Sequence, residues 1–254
     1  MIKLSVVIIT FNEEQNIERC IRSVMDIADE IVILDSVSTD KTKEICLGFP
    51  VRFLEQPFLG YIEQKNKALE FAQFPYVLSL DADEALSEHL KDSIREVKND
   101  WKKDGYAFNR LTNYCGKWIR HTDWYPDRKL RLFDKRKGQW SGINPHDKFE
   151  LQDGSTLAIL KGDLLHYSFP SIQHHLNVLN RFTRITAKES FEKGKRAGMV
   201  NLLFSPFWKF IKSYFIRLGI LDGYYGFVVC AISSFATFMK YVQMKELQKK
   251  HIEN

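Results

Sequence analysis

The run Tyr76-Val-Leu-Ser-Leu-Asp-Ala-Asp-Glu84 constrains this 254-residue chain more than any other segment. Its apolar stretch shows no alternation, which suits a strand buried on both faces of a parallel sheet. It ends abruptly in Asp81 and Asp83, with Glu84 directly after. Open α/β sheets bind ligands beyond the carboxyl ends of their strands, so both carboxylates fall where a ligand crevice is expected. Hard oxygen donors of this kind suit Mg²⁺ or Mn²⁺, ions that also contact substrate phosphates. An acidic loop without function has the same sequence, so the neighbouring segments have to decide.

Leu4–Thr10, Glu30–Asp35 and Val51–Leu54 read as three further strands. Ile17, Ile21, Val24 and Met25 recur at helical spacing after Asn12, Glu13 and Glu14, which are expected to open that helix. Lys41–Leu47 is predicted as a short helix behind a capping turn, and Ile62–Phe71 as a third helix. This alternation predicts βαβ units and a parallel sheet with right-handed crossovers. Three strand ends on one edge then carry polar groups: Thr10 to Glu14, Asp35 to Asp40 and Asp81 to Glu84. Stability does not require acids at three such ends, whereas a pocket for a nucleotide and its metal does.

After Asp100 the pattern changes to short, aromatic and basic pieces: Tyr106–Arg110, Lys117–Ile119, Lys129–Phe133, Trp140 and Leu157–Tyr167. These predict a mixed or antiparallel extension of the sheet, with His121–Arg128 and Ser141–Lys148 as loops. Helical spacing returns from Ile172, with Leu176, Leu179, Phe182 and Ile185 on one face. His174 and His175, at the start of that helix, are expected to face solvent. Trp124, Tyr125 and Trp140 suit either stacking on sugars or core packing. Residues 200–242 crowd aromatics around Lys209, Lys212 and Arg217, followed by the charge-free stretch Gly226–Met239. That stretch is too short to span a bilayer by itself; helices lying in the membrane interface fit better, with packing on the catalytic domain or a contact with a second copy as the alternatives.

The net charge of +5 hides an asymmetry. Residues 1–98 carry 11 Lys and Arg against 18 Asp and Glu, and the remainder 26 against 14. The basic part points to an anionic partner such as a diphosphate or an acidic lipid surface. No nucleic-acid recognition motif with the required spacing is present, so nucleic acid is not an expected partner. Four dispersed cysteines, without a Cys-x-x-Cys pair, give neither a zinc site nor a disulfide framework. The chain begins directly in a strand without a leader-like segment, and a cytoplasmic location is expected.

The sequences Val6-Val-Ile-Ile-Thr-Phe-Asn-Glu-Glu14, Ile33-Leu-Asp-Ser-Val-Ser-Thr-Asp-Lys-Thr42 and Leu78-Ser-Leu-Asp-Ala-Asp-Glu84 together resemble glycosyltransferase family two. Tyr125-Pro-Asp-Arg-Lys-Leu-Arg-Leu-Phe133, Asn144-Pro-His-Asp147, Leu164-Leu-His-Tyr-Ser168 and Leu218-Gly-Ile-Leu-Asp-Gly223 resemble its lipopolysaccharide-core β-glucosyltransferase branch. The resemblance implies an α/β GT-A fold, a Rossmann-like mixed sheet, with a C-terminal amphipathic helical extension. It divides the chain into a catalytic domain over 1–170 (nucleotide half 1–98, acceptor half 99–170) and a membrane-associating helical region over 171–254. It also implies an inverting, metal-dependent transfer from a nucleotide-sugar donor, UDP-linked with glucose as the candidate sugar, to a glycolipid acceptor at the cytoplasmic face of the inner membrane. The Gln-x-x-Arg-Trp motif of many polymerising relatives is absent, the nearest segment being Asn177-Val-Leu-Asn-Arg-Phe182, so single addition is expected.

By the same resemblance Asp35 contacts the nucleobase or ribose, and Thr10, Asn12 and Glu13 line the nucleotide pocket. Asp81 joins that set, and Asp83 holds the metal on the donor diphosphate, with Asp81 beside it. His166, which follows the apolar run Leu157–Leu165, is a further candidate to complete the metal or diphosphate site. Arg128, Lys129 and Arg131 are candidates to assist at the diphosphate. Inversion requires a base on the acceptor side. Asp147 is the first candidate and His146 the second. A polyprenyl-phosphate acceptor, and a non-catalytic sugar-nucleotide sensor or membrane scaffold, are the competing expectations. The former would need no base.

Overall fold

Every residue of β1 (Leu4–Thr10) is buried, and its two faces feed two different cores. The structure, a computed structural model, describes residues 1–143 and 146–253, and the side chains of all of these but 143, 146, 252 and 253. In chain order β1 is followed by α1 (Ile17–Val24), β2 (Glu30–Asp35), α2 (Thr42–Leu47), β3 (Arg52–Glu55), α3 (Tyr61–Phe71), β4 (Tyr76–Asp81), β5 (Glu84–Leu86) and α4 (Glu88–Asn99). Then come β6 (Gly105–Tyr114), β7 (Lys117–Trp118), β8 (Asp127–Asp134), β9 (Gly138–Ile143), β10 (His146–Leu151) and β11 (Leu157–Phe169). Three helices close the chain: α5 (Ile172–Glu192), α6 (Met199–Ile211) and α7 (Gly223–Glu253).

Among the described residues the main sheet has the order β3-β2-β1-β4-β8-β6-β11-β5, with β7 beside β6. Its first four strands are parallel, and β8 and β6 continue it antiparallel. With its helices it is a mixed α/β fold, as the alternation along the sequence predicts. On one face Leu4, Val6 and Ile8 pack with Ile17, Ile21 and Val24 of α1 and with Leu90 and Ile94 of α4. On the other, Val7 and Ile9 meet Ala68 and Leu69 of α3, and Phe133, Trp140 and Phe149. Fully burying one such aliphatic side chain contributes roughly 1.5–3 kcal/mol, so the double-faced core dominates the stability of this sheet.

The chain forms two compact units. The first comprises Met1–Leu111 and Asp127–Tyr167 and holds the parallel strands; the second comprises Thr112–Pro126 and the residues from Ser168 onward. In the second, Tyr114, Ile119 and Val229 form a small core flanked by Trp124, Phe169 and Tyr225. The Asp222 carboxylate accepts from the backbone N–H groups of Arg120 (3.2 Å) and His121 (2.8 Å), pinning the 119–126 segment to the start of α7. Gly226 is required there: a Cβ would lie 2.0 Å from the Gly219 carbonyl oxygen.

Several local expectations change. The first helix starts at Ile17, not at Asn12, because Asn12 adopts φ +53° and the Glu13 and Glu14 N–H groups are bonded outside the helix. Within the segment 141–148, expected as a loop, residues 141–143 and 146–148 belong to the antiparallel strands β9 and β10, because Trp140 and Phe149 pair across them and pack inward on Phe133. His175 is buried, not solvent-facing; its Nδ1 lies 3.0 Å from the Tyr114 hydroxyl. Trp140 and Trp124 both serve packing, the former in the sheet core and the latter stacked on Phe169. The charge-free stretch of the tail belongs to a longer element, the 31-residue α7, which is long and apolar enough to cross a membrane.

Candidate active site

Parallel register sets the site. Thr10 pairs with Asp35 across β1 and β2, and Ile9 pairs with Asp81 across β1 and β4. With strands about 4.8 Å apart, Asp35 and Asp81 therefore stand roughly 10 Å from each other along one edge.

The two loops leaving β1 and β2 are laced together. The Asn12 N–H donates to Ser38 Oγ (2.8 Å), Thr39 N–H to Asn12 Oδ1 (2.8 Å) and Glu13 N–H to Thr42 Oγ1 (2.8 Å). Asp35, fully buried, accepts from the Ser38 N–H (2.7 Å) and hydroxyl (2.5 Å). Asn12 and Val37 both take positive φ in these turns, +53° and +64°. The Thr10 hydroxyl is buried without a hydrogen-bond partner at this edge. Burial pushes the Glu13 carboxyl up to about 7; a hydrogen bond from Asn16 opposes this, while Asp83 and Asp40 add to it. Thr10, Asn12, Glu13 and Asp35 are thus brought together, and Glu13 senses Asp83.

Beside them lies a buried charge network. Asp81 accepts from Arg131 Nη2 at 2.7 Å, and Lys65 Nζ lies 3.0 Å from its other oxygen. Lys65 also reaches Asp147 Oδ2 at 2.7 Å. Arg131 meets Glu84 at 3.1 Å, and Glu84 accepts from the Asp81 N–H at 3.0 Å. Burial would raise the Asp81 carboxyl, but Arg131 and Lys65 outweigh it and hold it well below the usual carboxylate range. Burial likewise opposes the charge on Arg131, and Asp81 and Glu84 overcome that. Both cations lie over the Trp140 ring, at 4.6 Å for Lys65 and 5.3 Å for Arg131. Asn66 fixes that tryptophan's backbone through reciprocal bonds of 2.9 and 3.0 Å.

Asp83 turns to a different partner, His166 Nε2, at 3.1 Å. Strand β11 delivers this histidine: His166 pairs with Glu84, and the Tyr167 N–H donates to the Asp83 carbonyl at 2.9 Å. Burial raises the Asp83 carboxyl and His166 outweighs it, leaving it lowered. His166 Nδ1 is buried without a hydrogen-bond partner. Among the described residues no group of three or more His, Cys, Asp or Glu is set to enclose a metal ion. A single carboxylate with space for substrate phosphates is nevertheless how Mg²⁺ is usually held, so Asp83 fits such an ion as a shared ligand.

The remaining expected residues are placed differently. Lys129 pairs with Asp127 at 3.1 Å and Arg128 is exposed, so neither joins the Asp81 network. Of the three basic candidates on β8, the one that does is Arg131. The pairing shifts there, from Tyr106 opposite Leu132 to Ala107 opposite Leu130, leaving Arg131 as the extra residue of a bulge. Bulges re-aim side chains, and this one points a guanidinium into the site. Lys65 has no counterpart among the expected residues; its only sequence signal is a lysine on the inward face of α3, where it is 2% exposed. Asp147 reaches the network through Lys65. The side chain of His146 lies outside the described residues.

This arrangement sets two acids, Asp81 and Asp83, at the end of one strand and a separate carboxylate, Asp147, bridged to Asp81 by Lys65. A model of the family described as glycosyl transferase family 2 matches residues 5–152. An uncharacterized glycosyltransferase of Rickettsia typhi is 32% identical over 98% of this chain and 89% of its own length. The lipopolysaccharide core biosynthesis glycosyltransferase LpsC of Rhizobium meliloti is 30% identical over 97% of this chain and 94% of its own. A mannosyltransferase of Pyrobaculum calidifontis, solved in complex with GDP-Man and Mn²⁺, matches with a TM-score of 0.56 at 16% identity, covering 96% of this chain and 87% of that one. Residues 1–349 of S. aureus TarS match at 0.50 and 14% identity, covering 98% and 92%. The fold is GT-A, and the chain belongs to glycosyl transferase family 2.

Proposed function

We propose that this glycosyltransferase moves a sugar from a nucleotide-sugar, UDP-linked and with glucose as the first candidate, to a membrane glycolipid of the lipopolysaccharide inner-core type. The transfer is a metal-assisted single displacement with inversion, performed at the cytoplasmic face of the inner membrane. The observation that carries this reading is the bridge from Lys65 to both Asp81 and Asp147, which joins the donor-side acids to an acceptor-side carboxylate. The likeness to LpsC over nearly the whole chain supports the acceptor class.

In this reading Asp35 and the laced Asn12 and Thr39 loops bind and orient the nucleoside. Asp83 and Asp81 face the diphosphate. A divalent cation held at Asp83, when bound, supplies positive charge against the charge that builds on the departing nucleoside diphosphate. Arg131, with Nε and Nη1 buried and without hydrogen-bond partners, adds a fixed guanidinium close by. Asp147 takes the proton of the attacking hydroxyl on the opposite side of the sugar, its position fixed by Lys65.

The test is a donor screen with the purified full chain, reading nucleoside diphosphate release from UDP-, GDP-, ADP- and dTDP-sugars with Mn²⁺. Slow, metal-dependent hydrolysis of one donor is expected. Failure of every donor to turn over, together with no calorimetric binding of any nucleotide, would overturn the reading.

A further inference from the structure

Of the large apolar side chains exposed among the described residues, fourteen lie between Met199 and Phe235, while nine are scattered over residues 1–159. A concentration of this kind marks an interaction surface rather than ordinary surface composition. On α6, Val200, Leu203, Phe204, Phe207 and Trp208 are all exposed and follow the spacing i, i+3, i+4, i+7, i+8. That is the stripe with which a helix normally faces a core. Here α6 uses its other side for that purpose: Pro206 is buried and its carbonyl accepts from Ser234 of α7 at 2.7 Å, and Phe210 meets Phe227 edge-on. Phe215 and Ile216, just beyond α6, extend the exposed apolar surface.

Charge identifies the occupant. The second unit carries 15 Lys and Arg against 6 Asp and Glu. Within 199–235 the charged residues are Lys209, Lys212, Arg217 and Asp222, and Asp222 is buried against the 120–121 backbone. Lys212 and Arg217 are exposed. Aromatic and aliphatic side chains on one helix face with basic residues alongside are the composition of a helix lying in the bilayer interface, drawn to anionic headgroups.

We propose that the exposed face of α6 and the turn after it insert in the plane of an anionic lipid bilayer, and that α7 does not span it. α7 buries Val229, Cys230 and Met244 and packs along α5 and α6. α5 carries Arg181, Arg184, Lys188, Glu189 and Glu192, charges that would have to enter the hydrocarbon with α7. The proposal rests on the membrane-acceptor reading for its purpose, and its geometry is independent of it.

The full chain is floated with vesicles of phosphatidylcholine alone or mixed with phosphatidylglycerol. The wild type is expected to bind the mixed vesicles more strongly. Phe207→Ser/Trp208→Ser should weaken binding to both, and Lys212→Gln/Arg217→Gln should cost about tenfold on anionic vesicles only. Circular dichroism checks that both variants keep their fold. Wild type that fails to float, or variants that float like it, would overturn the proposal. So would a dimer in lipid-free buffer that Phe207→Ser/Trp208→Ser converts to monomer, since the stripe would then be a contact between copies. Donor hydrolysis in lipid-free buffer, unchanged in both variants, reports on the transferase reading separately: its absence in the wild type would leave the vesicle result standing.

Discussion

Lys65 Nζ lies 2.7 Å from Asp147 Oδ2 and 3.0 Å from Asp81 Oδ1, and the side chain is 2% exposed. One buried ammonium therefore neutralises carboxylates that stand 66 positions apart in the sequence. Removing one member of a buried pair leaves an uncompensated charge, which costs more than the pair contributes when intact. Arg131 still covers Asp81 in its absence, but Asp147 loses its ion-pair partner among the described residues. Lys65→Met is expected to lower unfolding stability by about 3 kcal/mol, read from urea denaturation. Lys65→Arg should recover part of that loss; a Lys65→Met variant as stable as the wild type would dismiss the bridge as incidental.

Asp147→Asn separates donor binding from proton transfer. The amide keeps the size of the side chain and cannot take a proton. Acceptor-dependent transfer should fall by about 10²- to 10⁴-fold, the usual contribution of general base catalysis, while calorimetric donor affinity changes little. Full turnover in this variant would remove Asp147 as the base and favour an acceptor that is already ionised, such as a polyprenyl phosphate.

The parts of the site legible in the sequence were those carried by unbroken strands. Asp35, Asp81 and Asp83 follow from two apolar runs that end in acids, because parallel pairing on either side of β1 places such ends together. Arg131 stands among three basic candidates that the sequence does not rank, because a bulge breaks the period of two that separates inward from outward positions and makes Arg128, Lys129 and Arg131 look equivalent. Lys65 was hidden for a different reason. A lysine among helical residues reads as solvent-facing, and only the segments carrying Trp140 and Asp147 cover it. The strands that carry them are themselves hard to read, since Gly142, at φ +111°, interrupts the strand pattern.

Metal dependence should be separable from folding. Among the described residues His166 is the ion-pair partner of the Asp83 carboxylate, so Asp83→Ala removes one buried carboxylate without breaking the Asp81 network. Donor hydrolysis is expected to drop by at least about 10²-fold in this variant. Chelation with EDTA should reproduce the loss in the wild type, and added Mn²⁺ should restore it only there. Unchanged hydrolysis after chelation would rule the ion out of the mechanism.

His175 gives the second unit a pH response of predictable sign. Burial against Tyr114, Trp124 and Phe169 lowers its pKa from 6.5 to about 4, with a small further push from His174. The unfolded chain binds the proton below 6.5 and the folded chain only near 4, so stability is full above pH 6.5 and falls as the pH drops through that window. A shift of this size corresponds to roughly 3 kcal/mol at most, and about 2 kcal/mol is expected once residual solvent access is allowed for. His175→Gln retains a carbonyl to accept from the Tyr114 hydroxyl and has no proton to gain. Glu13 titrates in both proteins and cancels from their difference. Urea midpoints measured from pH 7 to 4.5 should therefore fall more steeply for the wild type than for His175→Gln, and parallel curves would place the buried histidine outside the acid response.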